Sequence, residues 1–248
     1  MNRITLFASL LLAGLIFKVH GQNPQEVLTK MDALMSAPVD RVATVQMTVT
    51  NKRGESKTRE AELKQMGSEY RLYRYTKPEN KAGIATLSLP DGKMWLYMPA
   101  FGKVIKITLL SKSQAFTGTD FSYEDMSGIP YSNRYQANFV NSENEKEVLL
   151  DLSPKSDQTE YSRILLSLNK QYGYPVQMAF YDKNGAYIKK ADYRYTKEGG
   201  YWYAKQVVMT DLRKDHSTAI EIKDIRFDTG LSEKDFTLEI LKTPSEGN

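Results

Sequence analysis

Cysteine is absent from the 248-residue sequence, and histidine occurs only twice, at His20 and His216. A chain without cysteine has no disulfide, no thiolate metal ligand and no cysteine for lipid attachment. One histidine beyond the N-terminal region leaves only an all-oxygen metal site, and Asp120, Glu124 and Asp125 lack the spacing of a calcium-binding loop. We therefore predict no metal site and no cofactor, and we interpret these carboxylates as caps of a short helix.

The motifs of common hydrolases and nucleotide-binding enzymes are also missing. The sequence has no Gly-x-Ser-x-Gly elbow and no glycine-rich phosphate loop. His216 lies between Asp215 and Ser217, but neighbours along a strand point to opposite faces, so we interpret His216 as an exposed turn residue. We predict no catalytic residues, and a lipid-acting hydrolase that uses Ser217 or a carboxylate is the alternative.

Neither sign of charge is in large excess. The chain has 34 basic and 30 acidic residues, a formal net charge of +4. Proteins that bind nucleic acid cluster lysine and arginine on one surface, whereas here the signs alternate along most segments, as in residues 57–64. This pattern is typical of a solvated strand face and excludes nucleic acid as the expected partner.

A long apolar run occurs only once, at residues 4–17, after Arg3 and before small residues that end at Gly21. Its length of about 14 residues is short of the roughly 20 that a helix needs to cross a bilayer. A basic start, an apolar centre and a small-residue end are typical of a secretory signal peptide. We predict that residues 1–21 are a signal peptide cleaved near Gly21 and that residues 22–248 form one exported domain.

Beyond that run, the dominant pattern is the period-two alternation of antiparallel strands. One amphipathic helix is predicted over residues 24–37, and residues 109–134 break the alternation with short helices near 111–116 and 123–126. We predict a mainly β, single-domain fold of about 11 antiparallel strands, with an N-terminal helix and a central helical lid. An unclosed barrel is favoured over a two-sheet sandwich, because the helix and the lid must cover something.

Two local signals refine the strand assignment. Asn184-Gly185 predicts a two-residue type I′ hairpin turn, since both turn positions need positive φ. In the last strand, the apolar set moves from Ile220 and Ile222 to Ile225, a change of parity that predicts a β-bulge.

A strand that is apolar on both faces lies beside an aromatic turn. Tyrosine and methionine are abundant, at 16 and 10 residues. Methionine fills irregular apolar spaces and tyrosine offers an apolar ring with a polar tip, so both suit the wall of a cavity for apolar ligands. The sequence leaves open which face of the strand lines that cavity. The candidate ligand-binding residues are Met94, Trp95, Leu96, Tyr97, Met98, Phe116, Phe121 and Tyr123.

Several segments along the chain form a recognisable set of motifs. They are Arg59-Glu60, Pro78 with Gly83, Trp95-Leu96-Tyr97-Met98-Pro99, Lys106-Ile107, Gly118-Thr119-Asp120-Phe121-Ser122-Tyr123-Glu124-Asp125, Tyr174-Pro175, Phe180-Tyr181-Asp182-Lys183-Asn184-Gly185 and residues 227–237. Together they resemble the outer-membrane lipoprotein-sorting protein family, within the superfamily of LolA-like and LolB-like periplasmic lipoprotein carriers. The resemblance implies a non-enzymatic periplasmic carrier, an unclosed barrel whose hydrophobic cavity takes acyl chains of lipoproteins or other lipids towards the outer membrane. It also implies an inner-membrane exporter or an outer-membrane acceptor as partners.

The sequence departs from the pattern of these relatives in two places. Gly102-Lys103 stands where relatives often have an arginine pair, and Thr119 stands where serine is more usual. Carriers of this kind hold their lid with an arginine, and the candidate for that lid anchor here is Arg59. The hypothesis predicts that Trp95→Asp lowers affinity for an acyl probe far more than Lys103→Ala does. A third reading is an accessory protein that passes a ligand to a membrane exporter through an exposed sheet edge.

Overall fold

The computed structural model describes residues 23–243, so the predicted signal peptide lies outside the described residues. The helices are α1 (Pro24–Ser36), α2 (Leu109–Lys112), α3 (Tyr123–Met126), α4 (Tyr131–Arg134) and α5 (Leu238–Lys242). The strands are β1 (Asp40–Thr50), β2 (Ser56–Met66), β3 (Tyr70–Lys77), β4 (Ala85–Leu89), β5 (Lys93–Met98), β6 (Lys103–Lys106), β7 (Tyr135–Val140), β8 (Glu147–Pro154), β9 (Arg163–Asn169), β10 (Pro175–Tyr181), β11 (Tyr187–Glu198), β12 (Tyr201–Asp211) and β13 (His216–Phe227).

All 13 strands belong to one antiparallel sheet, in the order β6-β5-β4-β3-β2-β1-β13-β12-β11-β10-β9-β8-β7. Successive hairpins build each half, and the pairing of β1 with β13 joins the two halves. Strands β6 and β7 form the two edges, and within residues 23–243 they do not pair with each other. The predicted mainly β, unclosed antiparallel barrel is therefore confirmed. It has 13 strands where about 11 were predicted, and the shortest of them, β6, has four residues.

The predicted bulge in the last strand is confirmed by the register between β1 and β13. Thr44 pairs with Asp224, whereas the next residue, Val45, pairs with Ile222. Lys223 is therefore the extra residue, and it shifts the apolar set of β13 from even to odd positions.

The type I′ prediction for the β10–β11 turn is wrong. Gly185 has a φ of +79°, but Asn184 is not among the residues with positive φ. The Asp182 side chain instead accepts hydrogen bonds from the backbone N–H groups of Asn184 and Ala186, at 2.9 and 3.0 Å. This local capping stabilises a longer turn that needs only one left-handed residue.

Helix α1 forms where the sequence predicts it and packs on the concave face of the sheet. The Asn23 side chain accepts a hydrogen bond from the Gln25 N–H, which caps the helix start. Val27, Leu28 and Met31 recur at helical spacing and are buried. The helix thereby covers one end of the open barrel.

The sheet buries apolar side chains on both faces. We call the set on the concave face, which includes Met47, Tyr73 and Phe180, the interior cluster. We call the smaller set on the convex face the outer cluster, and its buried members are Leu72, Ala85, Leu87, Phe236 and Leu241. Helix α5 closes the outer cluster, so the convex face also has a hydrophobic core of its own.

Candidate functional site

The chain that connects the two edge strands lies across the mouth of the open barrel, and we call it the lid segment (residues 107–134). Its side chains Phe116, Phe121 and Tyr123 are buried in the interior cluster, and Phe116 has no exposed surface. The Phe116 ring makes edge contacts with Tyr73 at 5.6 Å and with Tyr123 at 5.4 Å between centroids. Three of the candidate ligand-binding residues therefore fill the concave side of the sheet.

The Ser122–Asp125 pair forms a capping box at the start of α3. The Asp125 N–H donates to Ser122 Oγ at 3.1 Å, and the Ser122 N–H donates to the Asp125 carboxylate at 2.8 Å. Capping is therefore the role of Asp125, as the sequence predicted. Asp120 and Glu124 do not cap the helix, since each binds side chains from elsewhere in the fold.

Asp120 ties the lid segment to strand β13. Its buried carboxylate accepts hydrogen bonds from Thr218 Oγ1 at 2.6 Å and from His216 Nδ1 at 2.8 Å. The interpretation of His216 as an exposed turn residue is wrong, because it begins β13 with its side chain only 25% exposed and bound to Asp120. Ser217 points to the other face of the strand.

Arg59 on β2 holds the lid segment from the opposite half of the barrel. Its guanidinium donates to the Thr117 carbonyl oxygen at 2.7 Å and lies 5.7 Å from the centre of the Tyr75 ring. The Tyr75 and Thr117 hydroxyls are hydrogen-bonded at 2.6 Å. Thr117 has a φ of +47°, a left-handed conformation that threonine rarely adopts, so these contacts hold a strained residue in place.

A buried network of charges fixes the far end of the lid segment. Arg134 donates to Glu124 at 2.7 Å, and the other Glu124 oxygen accepts from the Glu160 N–H at 2.7 Å. Lys189 pairs with Glu160 at 3.2 Å. Burial raises the pKa of the Glu160 carboxyl to about 7, the charge of Asp125 adds to this effect, and Lys189 opposes it.

Strand β5 divides its candidate residues between the two faces. Met94, which is 1% exposed, and Leu96 belong to the interior cluster. Trp95 and Tyr97 pack against the outer cluster, on the other side of the sheet. Met98 is partly buried. The double-sided apolar character of this strand therefore serves two separate cores.

The cavities lie in different chemical surroundings on the two faces. A cavity of about 1020 Å³ lies on the convex side and has charged side chains such as Glu62, Arg74 and Arg226 in its wall. Two small apolar cavities, of about 120 and 90 Å³, lie on the concave side beside α1. Both concave cavities are thus small compared with the one on the convex side.

Sequence reasoning missed the side chains that fasten the lid segment apart from Arg59. His216, Thr218 and Glu160 lie between 36 and 98 residues from their lid partners. No local pattern marks such pairs. Among the described residues, no group of three or more His, Asp or Glu side chains is close enough to hold a metal ion, and none of the helices is long and apolar enough to span a membrane.

The fold and the site together define an unclosed barrel whose apolar concave face is covered by a segment joining its two edges. An outer membrane lipoprotein-sorting protein domain from Vibrio parahaemolyticus has this fold, at 30% identity and a TM-score of 0.82 over 89% of this chain and 98% of that chain. A DUF1329 family protein from Desulfovibrio piger, at 24% identity, matches 89% of this chain and all of that chain with a TM-score of 0.80.

A LolA superfamily protein from Nitrosomonas europaea shares the fold as well, at 20% identity and a TM-score of 0.75 over 88% of this chain and 99% of that chain. A family profile described as uncharacterized protein-like matches residues 67–243. No curated protein sequence matches significantly. The chain belongs to the outer-membrane lipoprotein-sorting protein family, and the resemblance seen in its sequence is confirmed.

Proposed function

We propose that the protein is a non-enzymatic periplasmic carrier or binder of lipids or lipoproteins, which holds acyl chains on the concave face of the barrel. Each buried methylene contributes about 0.8 kcal/mol, so a lipid with two or three long chains leaves a bilayer only for another apolar surface. In the proposed carrier, the interior cluster provides that apolar surface. The relative from Vibrio parahaemolyticus, described as lipoprotein-sorting, supports a role in handling lipoproteins.

The observation that carries this proposal is the set of aromatic side chains that the lid segment inserts into the interior. Phe116, Phe121 and Tyr123 occupy apolar space without belonging to the sheet. Displacing them would open a continuous apolar surface on the concave face. The lid segment therefore acts as an internal substitute for the cargo, so that the empty protein does not expose its interior to water.

The strained Thr117 supports a lid that opens. A non-glycine residue in the left-handed region costs on the order of 1–3 kcal/mol, which its surroundings must offset. Arg59 and Tyr75 hold Thr117 from strands β2 and β3. We assign Arg59 the role of lid anchor, since its bond to the Thr117 carbonyl oxygen is one of the two hydrogen bonds that hold the strained residue.

Within strand β5, we assign the acyl-chain contact to Met94 and Leu96, which belong to the interior cluster. Trp95 and Tyr97 belong to the opposite face, and Trp95 as a binding residue stays a prediction. Leu96→Gln and Tyr97→Gln form a matched pair, because the two residues are adjacent and both partly buried. Leu96→Gln should weaken the binding of a fluorescent fatty-acyl probe, and Tyr97→Gln should not. Equal losses of probe affinity in the two variants would contradict the assignment of the acyl-chain contact to the concave face.

The experiment that tests the function itself is native mass spectrometry of gently extracted protein, together with uptake of the acyl probe. We expect co-purifying acyl-chain ligands and saturable probe binding. Trp95→Asp and Lys103→Ala, measured with the same probe, test the prediction from the sequence that Trp95 contributes far more to acyl-probe affinity than Lys103 does. Empty protein that takes up no probe would contradict the carrier function.

A second candidate function, an accessory protein of a lipid exporter, is favoured by the edge strand β7. Phe139 and Val140 on this edge are 40% and 38% exposed. An edge with exposed apolar residues and free backbone groups favours strand addition by a partner. Pull-down from intact envelopes distinguishes the two functions, because a free carrier elutes without a membrane protein.

A further inference from the structure

Two arginines lie on the concave face without an acidic partner. Arg41, Gln65 and Arg71 stand opposite one another on β1, β2 and β3, so they form one cross-strand row. Arg71 alternates with Leu72 of the outer cluster, which places it on the interior side. Within residues 23–243, neither arginine forms an ion pair with a carboxylate. The row therefore brings two positive charges to one end of an apolar interior.

Arg71 has unused hydrogen-bonding capacity. Its guanidinium makes no side-chain hydrogen bond to any other described residue, and its Nε is shielded from solvent. The lid residue Gly128 lies directly against it, since a Cβ at this position would be 2.7 Å from Arg71 Nε and 2.2 Å from the Ser68 carbonyl oxygen. Only glycine, here at a φ of +80°, lets the lid backbone approach the guanidinium so closely.

Arg41 makes side-chain hydrogen bonds, but like Arg71 it has no carboxylate partner among the described residues. It donates to Gln65 Oε1 at 2.7 Å and to the Met35 carbonyl oxygen at 3.4 Å. It lines the apolar cavity of about 90 Å³ together with Tyr195 and Trp202. The Tyr195 hydroxyl is buried and has no hydrogen-bond partner in the described structure. An apolar cavity thus ends at a cation and an unpaired hydroxyl.

This arrangement is unfavourable for the empty protein. Burial lowers the pKa of the Arg71 guanidinium to about 10, and the positive charge of Arg41 adds to this effect. A charge without a partner in such surroundings destabilises a fold, and apolar replacements are often more stable. Arginine also binds carboxylate and phosphate through two parallel hydrogen bonds, which distinguishes it from lysine. An anion would supply the negative charge and the hydrogen-bond acceptors that the two arginines lack.

We propose that Arg71 and Arg41 form a binding site for the anionic headgroup, a carboxylate or a phosphate, of an amphiphile whose acyl chain occupies the interior. The inference rests on the proposed carrier function and adds its headgroup selectivity. The unpaired donors Arg71 Nε and Tyr195 Oη then receive an acceptor. Gly128 links the site to the lid segment, since a headgroup at Arg71 lies beside the lid backbone.

The test compares lipids that share chains but differ in headgroup. Oleate is paired with oleyl alcohol, and dioleoyl phosphatidate with dioleoylglycerol. Arg71→Gln and Arg41→Gln should each weaken binding of an anionic member at least about tenfold, as expected for hydrogen bonds to charged groups, and leave the neutral members unchanged. If the variants lose more affinity for oleate, the headgroup is a carboxylate. If they lose more affinity for dioleoyl phosphatidate, it is a phosphate. Arg194→Gln, at an exposed position on β11, is the matched control.

Unfolding temperatures give a second readout. Without lipid, Arg71→Gln should raise the melting temperature by about 2–4 °C, because it removes an unpaired charge. An arginine with only a structural role would lower it. Equal losses for neutral and anionic lipids, or no loss at all, would overturn the headgroup site while the carrier function stands. Failure of every lipid to bind the unaltered protein would overturn both.

Discussion

At the residue scale, Phe116 is the side chain that would compete most directly with cargo in the proposed carrier. It is completely buried, yet it belongs to the lid segment and not to the sheet. Replacement of a buried phenylalanine by alanine costs about 3–5 kcal/mol, because a cavity is left behind. In the carrier hypothesis, that cavity is space for an acyl chain. Phe116→Ala should therefore lower the free energy of unfolding and raise the affinity for an acyl probe.

Leu87→Ala provides the control for this prediction. Leu87 is also completely buried, but it lies in the outer cluster. We expect a loss of about 2–5 kcal/mol in chemical denaturation, with unchanged probe affinity. A rise in affinity for both variants would mean that general loosening, and not the lid side chain, opens the interior.

Single residues also show where sequence reasoning ends. Periodicity predicts that Met94 and Trp95 point to opposite faces, but it does not say which face is concave. That answer comes from helix α5, whose Leu241 lies far along the chain and closes the outer cluster. The same holds for His216, whose partner Asp120 is 96 residues away. Contacts of this kind depend on the whole topology.

At the scale of elements, the lid segment is fastened from two sides. Arg59 binds it from β2, and Thr218 and His216 bind it from β13. If these bonds hold the lid closed, Arg59→Met and Asp120→Asn should each speed amide hydrogen exchange in residues 115–127. The strands should keep their exchange rates, since the backbone hydrogen bonds between the strands are unaltered.

Lys103→Ala, at the first residue of the edge strand β6, is the control for the exchange measurement. It should leave the lid unaltered. If exchange in residues 115–127 is the same in all three variants and in the parent chain, the two fastenings do not control opening.

The Glu160 carboxyl, in the loop between β8 and β9, should make the stability of the fold depend on pH. A carboxyl whose pKa is raised on folding contributes stability that is fully present below its ordinary pKa of 4.5 and is lost as the pH rises through about 7. From about pH 5 to about pH 8, the melting temperature should therefore fall more in the parent protein than in Glu160→Gln. The exposed Glu143→Gln should follow the parent. Parallel curves for all three would show that Glu160 is not a source of the pH dependence.

The elements that were predicted correctly are those whose signals lie within a short stretch of the sequence. Helix α1 and the bulge at Lys223 follow from apolar spacing alone, and both are confirmed. The type I′ turn failed because the Asp182 side chain offered the backbone a different set of hydrogen bonds. The lid was predicted as short helices, but its attachment to both halves of the barrel depends on the order in which the strands pair along the whole sheet.

At the scale of the whole molecule, one sheet separates two hydrophobic cores. The interior cluster is covered by α1 and the lid segment, and the outer cluster by the C-terminal segment. Strand β5 contributes to both, which explains why its sequence is apolar at every position from Met94 to Met98. In the proposed carrier, a division of this kind would let the concave face open while the convex core keeps the sheet intact.

Arg74 offers a test of that division. It is buried on the convex side and donates to the carbonyl oxygens of Ile240 and Leu241, at 2.6 and 3.2 Å, at the end of α5. Because hydrogen bonds to a charged group contribute about 1.5–3 kcal/mol, Arg74→Met should lower the free energy of unfolding by roughly that amount without changing probe affinity. Combined with Phe116→Ala, the two losses should add to within about 0.5 kcal/mol in denaturant titrations, as for sites without shared contacts. A larger coupling, or weaker probe binding by Arg74→Met alone, would show that the outer core controls the interior, and the two faces would then have to open together.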